Sequence, residues 1–143
     1  MKIWLPRLLI AIVLVFNVQC ALVFLISPQS YAAGYELSGV VGEITVRGFG
    51  ILFLMWNVPY AVAFAHPVRY HVSLLEAVVM QLIGVVGESL LVISLGAMHA
   101  MLKSNLIRFI IFDAVGLCLL TGALLFVFSH RRQMGRQTGV SKP

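Results

Sequence analysis

Four runs of apolar residues, each close to twenty long, decide what this chain can fold into. They lie at about 8–26, 47–65, 72–95 and 106–128, and about 20 such residues of helix cover a hydrocarbon core about 30 Å thick. In lipid every backbone polar group must be satisfied within the chain, so runs of this kind cross as helices. Of the 143 residues, 61% are hydrophobic and 10% are charged, where a soluble domain carries about 25% charged. A soluble fold of this length would leave about 30% of its unfolded area in water, which is untenable for a chain this apolar. The expected fold class is all-α, an integral membrane antiparallel four-helix bundle in a single transmembrane domain, with the lipid bilayer as its first partner.

The links at 66–71 and 96–105 are short and imply antiparallel neighbours. The connection at 27–46, SPQSYAAGYELSGVVGEITV, is long. It is expected on the outer side as an interfacial helical turn or a cap over the bundle. Pro59 cannot donate a hydrogen bond and frees the carbonyl of Met55, so the second helix is expected to kink near its middle.

Charge sets the expected orientation. With the N-terminus inside, the inner side holds Lys2, Arg7, Arg69, Arg131, Arg132, Arg136 and Lys142, and the outer side holds Arg47, Lys103 and Arg108. That bias favours a multi-pass protein of the cell membrane with both termini cytoplasmic and a basic tail at 129–143. Trp4, Tyr31, Tyr35, Tyr70 and Phe128 are expected at the membrane interfaces. The net charge of +5 gathers in the tail without interleaved aromatic residues, which argues against nucleic acid as a partner. The basic start of the first run and Tyr31-Ala32-Ala33 faintly resemble a signal peptide. The apolar run, however, exceeds the usual length of about 7–15 residues, and it is read as a retained span.

Ionisable groups inside a bilayer are costly, by about 2.5 kcal/mol or more at mid-depth, so each one needs a reason. Glu88 and Asp113 both fall about eight residues, or ~12 Å, from the outer ends of their spans at 1.5 Å per residue. Gln19 lies at a similar depth and Asn57 slightly deeper. Gln81, Gly84 and Glu88 share one helical face. These residues form a candidate buried polar site in the outer half of the bundle, with Arg47 and Arg108 able to reach inward as counter-ions. Two close carboxyls cannot both ionise easily, so such a pair can relay a proton or bind a cation. The plainer reading is interhelical hydrogen bonding. Glu76 sits within a turn of the inner face, where it can cap a helix against Arg69 or His71.

Other chemistry is thinly represented. Cys20 and Cys118 stand alone in apolar runs without a CxxC pair, as small buried hydrophobes do. No histidine lies deep in a span, which disfavours haem, and no Glu-x-x-His is present for a di-iron bundle. Met98, His99 and Met101 form a weak metal candidate, since thioether and imidazole suit Cu(I). No residue set identifies a cofactor.

Arg47-Gly48-Phe49-Gly50, after a glycine-containing loop that begins at Pro28, resembles the start of helix two in the DoxX-like group of small four-helix membrane proteins. The resemblance covers about the first two-thirds of the chain. It implies a four-helix membrane fold in a functionally mixed group, some of whose members resemble subunits of quinone-linked oxidoreductases, and it assigns no catalytic residue.

Three functions follow as expectations, in this order. The first is an accessory or structural subunit of a larger membrane complex, or a bundle that associates with itself. The second is a small proton-coupled transporter using the buried carboxylates. The third is a quinone-linked membrane redox subunit, with Arg47, Trp56 and Asn57 beside an apolar slot. Whether the chain is an enzyme is open, with a non-enzymatic role favoured.

Overall fold

A computed structural model describes residues 3–96 and 98–139, with side chains described through Gln133. The chain is helical throughout its ordered elements: α1 (Trp4–Ile26), α2 (Gln29–Ala32), a 3₁₀ turn (Ala33–Tyr35), α3 (Gly39–Ala65), α4 (His71–Ser94) and α5 (Ala100–Gly139). Four of these helices are long and apolar enough to cross a membrane. Among the described residues there is no strand. The lengths and composition are those of a small multi-pass membrane protein.

Each long helix buries one stripe and turns the rest of its apolar surface outward, as expected where lipid is the solvent. On α1 the stripe is Ile10, Val13, Asn17, Ala21 and Phe24, at spacings of three and four. Pro6 is accommodated in the first turn, where its missing N–H would have had no partner. On α3 the stripe runs Gly42, Val46, Gly50, Asn57, Tyr60 and Ala63, and the helix continues through Pro59. Arg7 of α1 donates through Nε to the Phe64 carbonyl at 3.0 Å and through its guanidinium to Ala65. It thereby closes the C-terminal end of α3, where a cation also suits the helix dipole.

The helices outrun the apolar stretches that announce them. The second helix begins at Gly39 rather than near 47, because Gly42 and Val46 extend its buried stripe backward. The connection expected at 27–46 shrinks to 27–38, and most of that is helical. This short segment folds as a cap. The basic tail expected from 129 continues α5 as helix to Gly139. Lys2, Ala97 and Lys142 lie outside the described residues, as does the side chain of Arg136.

Two cores hold the bundle, and they differ in membership. At the end that carries Arg7, all four long helices meet around Ile10, Val13, Tyr60, Ala63, Leu74, Ala77, Leu120, Ala123 and Val127. At the cap end the core is Phe24, Ala32, Val46 and Phe109, from α1, α2, α3 and α5. Phe24 lies edge-to-face with Tyr31, Phe53 and Phe109 at centroid distances of 4.5, 5.7 and 6.0 Å, the arrangement aromatic quadrupoles prefer. Tyr31 and Tyr35 therefore turn into this core instead of standing in an interfacial belt. Trp4 and Tyr70 are exposed, and Arg69 lies over the Tyr70 ring at 5.4 Å.

Helix α4 is missing from the cap-end core. The buried residues of α4 are Leu74, Ala77 and Gln81, all in its first half. Beyond Gln81 none of its residues is fully buried, and the seam with α3 is the looser of its two.

Candidate functional site

The space left beside α4 is a cavity of about 540 Å³, within the ~300–1,000 Å³ range of small-molecule sites. Its walls come from all four long helices and from the 3₁₀ turn, which supplies Tyr35. Several wall residues on α3 and α4 are well exposed, Leu52, Trp56 and Ile83 among them. The opening therefore lies along the α3–α4 seam, on the surface that faces lipid in a membrane.

A polar chain runs along one side of this cavity. The Tyr60 hydroxyl of α3 donates to Gln81 Oε1 of α4 at 2.7 Å. Gln81 Nε2 in turn donates to Asp113 Oδ1 of α5 at 2.8 Å. Asn17 of α1 approaches the same tyrosine hydroxyl, so each long helix contributes one member. Two glycines make room for it. A Cβ on Gly116 would stand 2.8 Å from Gln81 Nε2, and one on Gly84 would collide with Asp113 Oδ2. In the structure these glycines admit polar side chains between the helices.

Nearer the cap two wall residues each hold a buried acceptor without a partner. Asn57 is buried and spends its Nδ2 on the Phe53 carbonyl at 2.7 Å, which leaves its Oδ1 unpaired. Glu88 Oε2 is likewise buried and unpaired. Among the described residues no Lys, Arg or His lines the cavity. A buried acceptor without a donor costs about 1–3 kcal/mol, so this wall is arranged for something that donates.

Of the residues expected to converge, Asn57, Gln81, Glu88 and Asp113 do so. Three others do not. Gln19 is exposed and faces a separate groove of about 210 Å³, shared with Arg108, Asn105 and Tyr31. Arg47 is exposed on α3. None of the three lines the cavity; for Gln19 the cause is helix rotation of about 100° per residue, which turns it outward when Asn17 and Ala21 are buried. Arg108 cannot serve as counter-ion from that groove. Glu76 is exposed, and among the described residues it makes no ion pair. Sequence reasoning passed over Tyr60, and it placed Tyr35 at a membrane interface rather than on this cavity. Tyr60 stands three residues after Asn57, on the same helical face, and that spacing was the available signal.

Met98 and Met101 are exposed, and His99 Nδ1 meets Glu36 Oε2 at 2.6 Å. Among the described residues no group of three His, Cys, Asp or Glu could hold a metal ion. The Glu36–His99 contact ties the cap to the first turn of α5. Glu36 adopts a left-handed backbone, φ 56°, unusual for a residue with a side chain. Its hydrogen bond with His99, aided by the Leu102 N–H, holds its carboxyl below the usual carboxylate range. Burial holds the Tyr35 hydroxyl above the ordinary phenol range, so it stays protonated at neutral pH.

Fold and cavity together define a class, a small multi-pass membrane protein with a carboxyl-bearing chamber open along the α3–α4 seam. Comparison with known protein families, with curated proteins and with solved structures finds no match to this chain.

Proposed function

We propose that this chain is a small proton-coupled carrier of the cell membrane. In this reading the four long helices cross the bilayer antiparallel, with both termini cytoplasmic, and the cavity opens in the outer half. The observation that carries it is the convergence of Glu88, Asp113 and the Tyr60–Gln81 relay on one chamber without a basic counter-ion. A carboxyl in such surroundings holds its proton until a cation or a wetter state takes its place. Intramembrane carboxyls lining a cavity are the usual markers of proton and substrate pathways. The antiparallel arrangement is supported by Arg7 at the start of α1 meeting Ala65 at the end of α3, and the orientation by the excess of Lys and Arg on one side.

An accessory subunit has no need of such a chamber. The test is reconstitution into vesicles holding a pH-sensitive dye, challenged with cationic, neutral and anionic amphiphiles. At least one class should move protons with the wild type, and neither Glu88→Gln nor Asp113→Asn should respond. Responses equal to those of empty vesicles across all classes, or full activity in both variants, would discard the carrier reading.

A further inference from the structure

Resting on the carrier reading of the same cavity, we infer that its substrate is a lipophilic organic cation. The cation enters from the membrane between α3 and α4 and displaces a proton from the carboxyl site.

The hydrogen bonds of the wall point to the sign of the charge. The Asn57 amide donates to Phe53, the Tyr60 hydroxyl to Gln81, and the Gln81 amide to Asp113. What remains unpaired and buried is Asn57 Oδ1 and Glu88 Oε2, both acceptors. Asn57 is 5% exposed and held by its own amide bond, so its oxygen is fixed in place. The donors still free on the wall, the Tyr35 hydroxyl, the Trp56 indole and the second N–H of the Asn57 and Gln81 amides, are all neutral. An anion would meet two carboxyls and no cation, and like charges brought together in a dry site repel strongly. A cation meets the reverse.

The remaining lining sets the shape and polarity of the ligand. Phe49, Phe53, Trp56 and Tyr35 present aromatic rings to the chamber, and the faces of such rings attract cations, most strongly when desolvated. A hydrated metal ion would find no oxygen cage here, whereas a cation carrying apolar groups would be enclosed by apolar walls. The lipid-side opening along Leu52, Trp56 and Ile83 suits a molecule that already partitions into the membrane.

Charge balance couples binding to protons. Without substrate one carboxyl of the pair Glu88 and Asp113 holds a proton and is neutral. The titratable groups facing that pair are Tyr60 from α3, Tyr35 from the 3₁₀ turn and Cys20 from α1, and phenols and thiols are neutral at physiological pH. When the cation arrives, the carboxyl O–H breaks, the proton leaves to water, and the new carboxylate pairs with the bound charge. One positive charge replaces another and the net charge of the chamber is unchanged.

Two probes of matched size and opposite sign test this on the full chain in detergent, tetraphenylphosphonium and tetraphenylborate. Tetraphenylphosphonium should bind saturably and release about one proton per cation into weakly buffered solution, while tetraphenylborate should not compete. Glu88→Gln should weaken binding by about tenfold or more and abolish the proton release. Should that variant fold poorly, Gly87→Leu provides a second test, since Gly87 lines the cavity and a Cβ there meets nothing within 4 Å. It should leave thermal unfolding intact and block the probe. Equal binding of both probes, or tetraphenylphosphonium binding untouched by both variants, overturns the inference. Binding with proton release but no vesicle flux removes the carrier and keeps the substrate class. Flux that depends on Glu88 without tetraphenylphosphonium binding does the reverse.

Discussion

At the scale of single residues, the two glycines facing the cavity on α4 make opposite demands. Gly84 cannot gain a methyl without striking Asp113, while Gly87 has open space before it. Gly84→Ala should cost about 1–3 kcal/mol, as overpacking does, and should part Gln81 from Asp113. Gly87→Ala should instead stabilise by about 0.5 kcal/mol, because alanine restricts the unfolded chain more than glycine. Thermal unfolding of both variants in one detergent checks the order, and equal shifts would refute it. The polar residues themselves were legible in the sequence, since charge and amide groups stand out within apolar runs. Their pairing was not. Gln19 and Asn17 are two residues apart and equally polar, yet one faces a groove and the other the interior, because packing against α3 and α5 fixes the rotation of α1. Tyr60 escaped notice for a related reason. Tyrosine is commonplace near an interface, and its role comes from Gln81 standing opposite.

At the scale of elements, the cap depends on a contact that responds to acid. Glu36 ionises more readily in the folded chain than in the unfolded one, chiefly through its bond with His99. A lowered folded value means that the stabilisation is fully present above the ordinary carboxylate range and lost as pH falls through the folded value. Amide exchange across 29–38 should therefore accelerate at strongly acid pH, relative to exchange in the core of α1. Glu36→Gln should show the faster exchange already at neutral pH and little further change on acidification. Parallel acid responses in the two proteins would show that Glu36 does not hold the cap. The four long helices could be read from hydropathy alone, but the cap could not. Tyr31 and Tyr35 find their places only beside Phe24 and Phe109, from helices distant in sequence, and local composition carries no trace of that.

At the scale of the whole molecule, both termini should face the cytoplasm. Single cysteines at a tail position and at a cap position test this in a background lacking Cys20 and Cys118, with Gln133→Cys set against Ser38→Cys. An impermeant maleimide applied to intact cells should label the Ser38 variant and spare the Gln133 variant, and the reverse pattern would invert the topology. Four helices of unequal engagement also divide the molecule. One half is closed by residues from every long helix, while the other is closed by three helices and the cap.

The half-buried character of α4 has a consequence for how its sequence is free to vary. From His71 to Gln81, substitutions should be tolerated on a three-to-four-residue rhythm, with Leu74, Ala77 and Gln81 intolerant and the positions between them permissive. Past Gln81 that rhythm should fade, since few side chains there have a fixed neighbour to disappoint. Intolerance should contract to Gly84 and Glu88, one leaving room for the Gln81–Asp113 bond and the other, in the proposed carrier, holding the proton. A saturation scan of this one helix would thus show a structural signature at one end and a functional signature at the other, written in the same twenty-four residues.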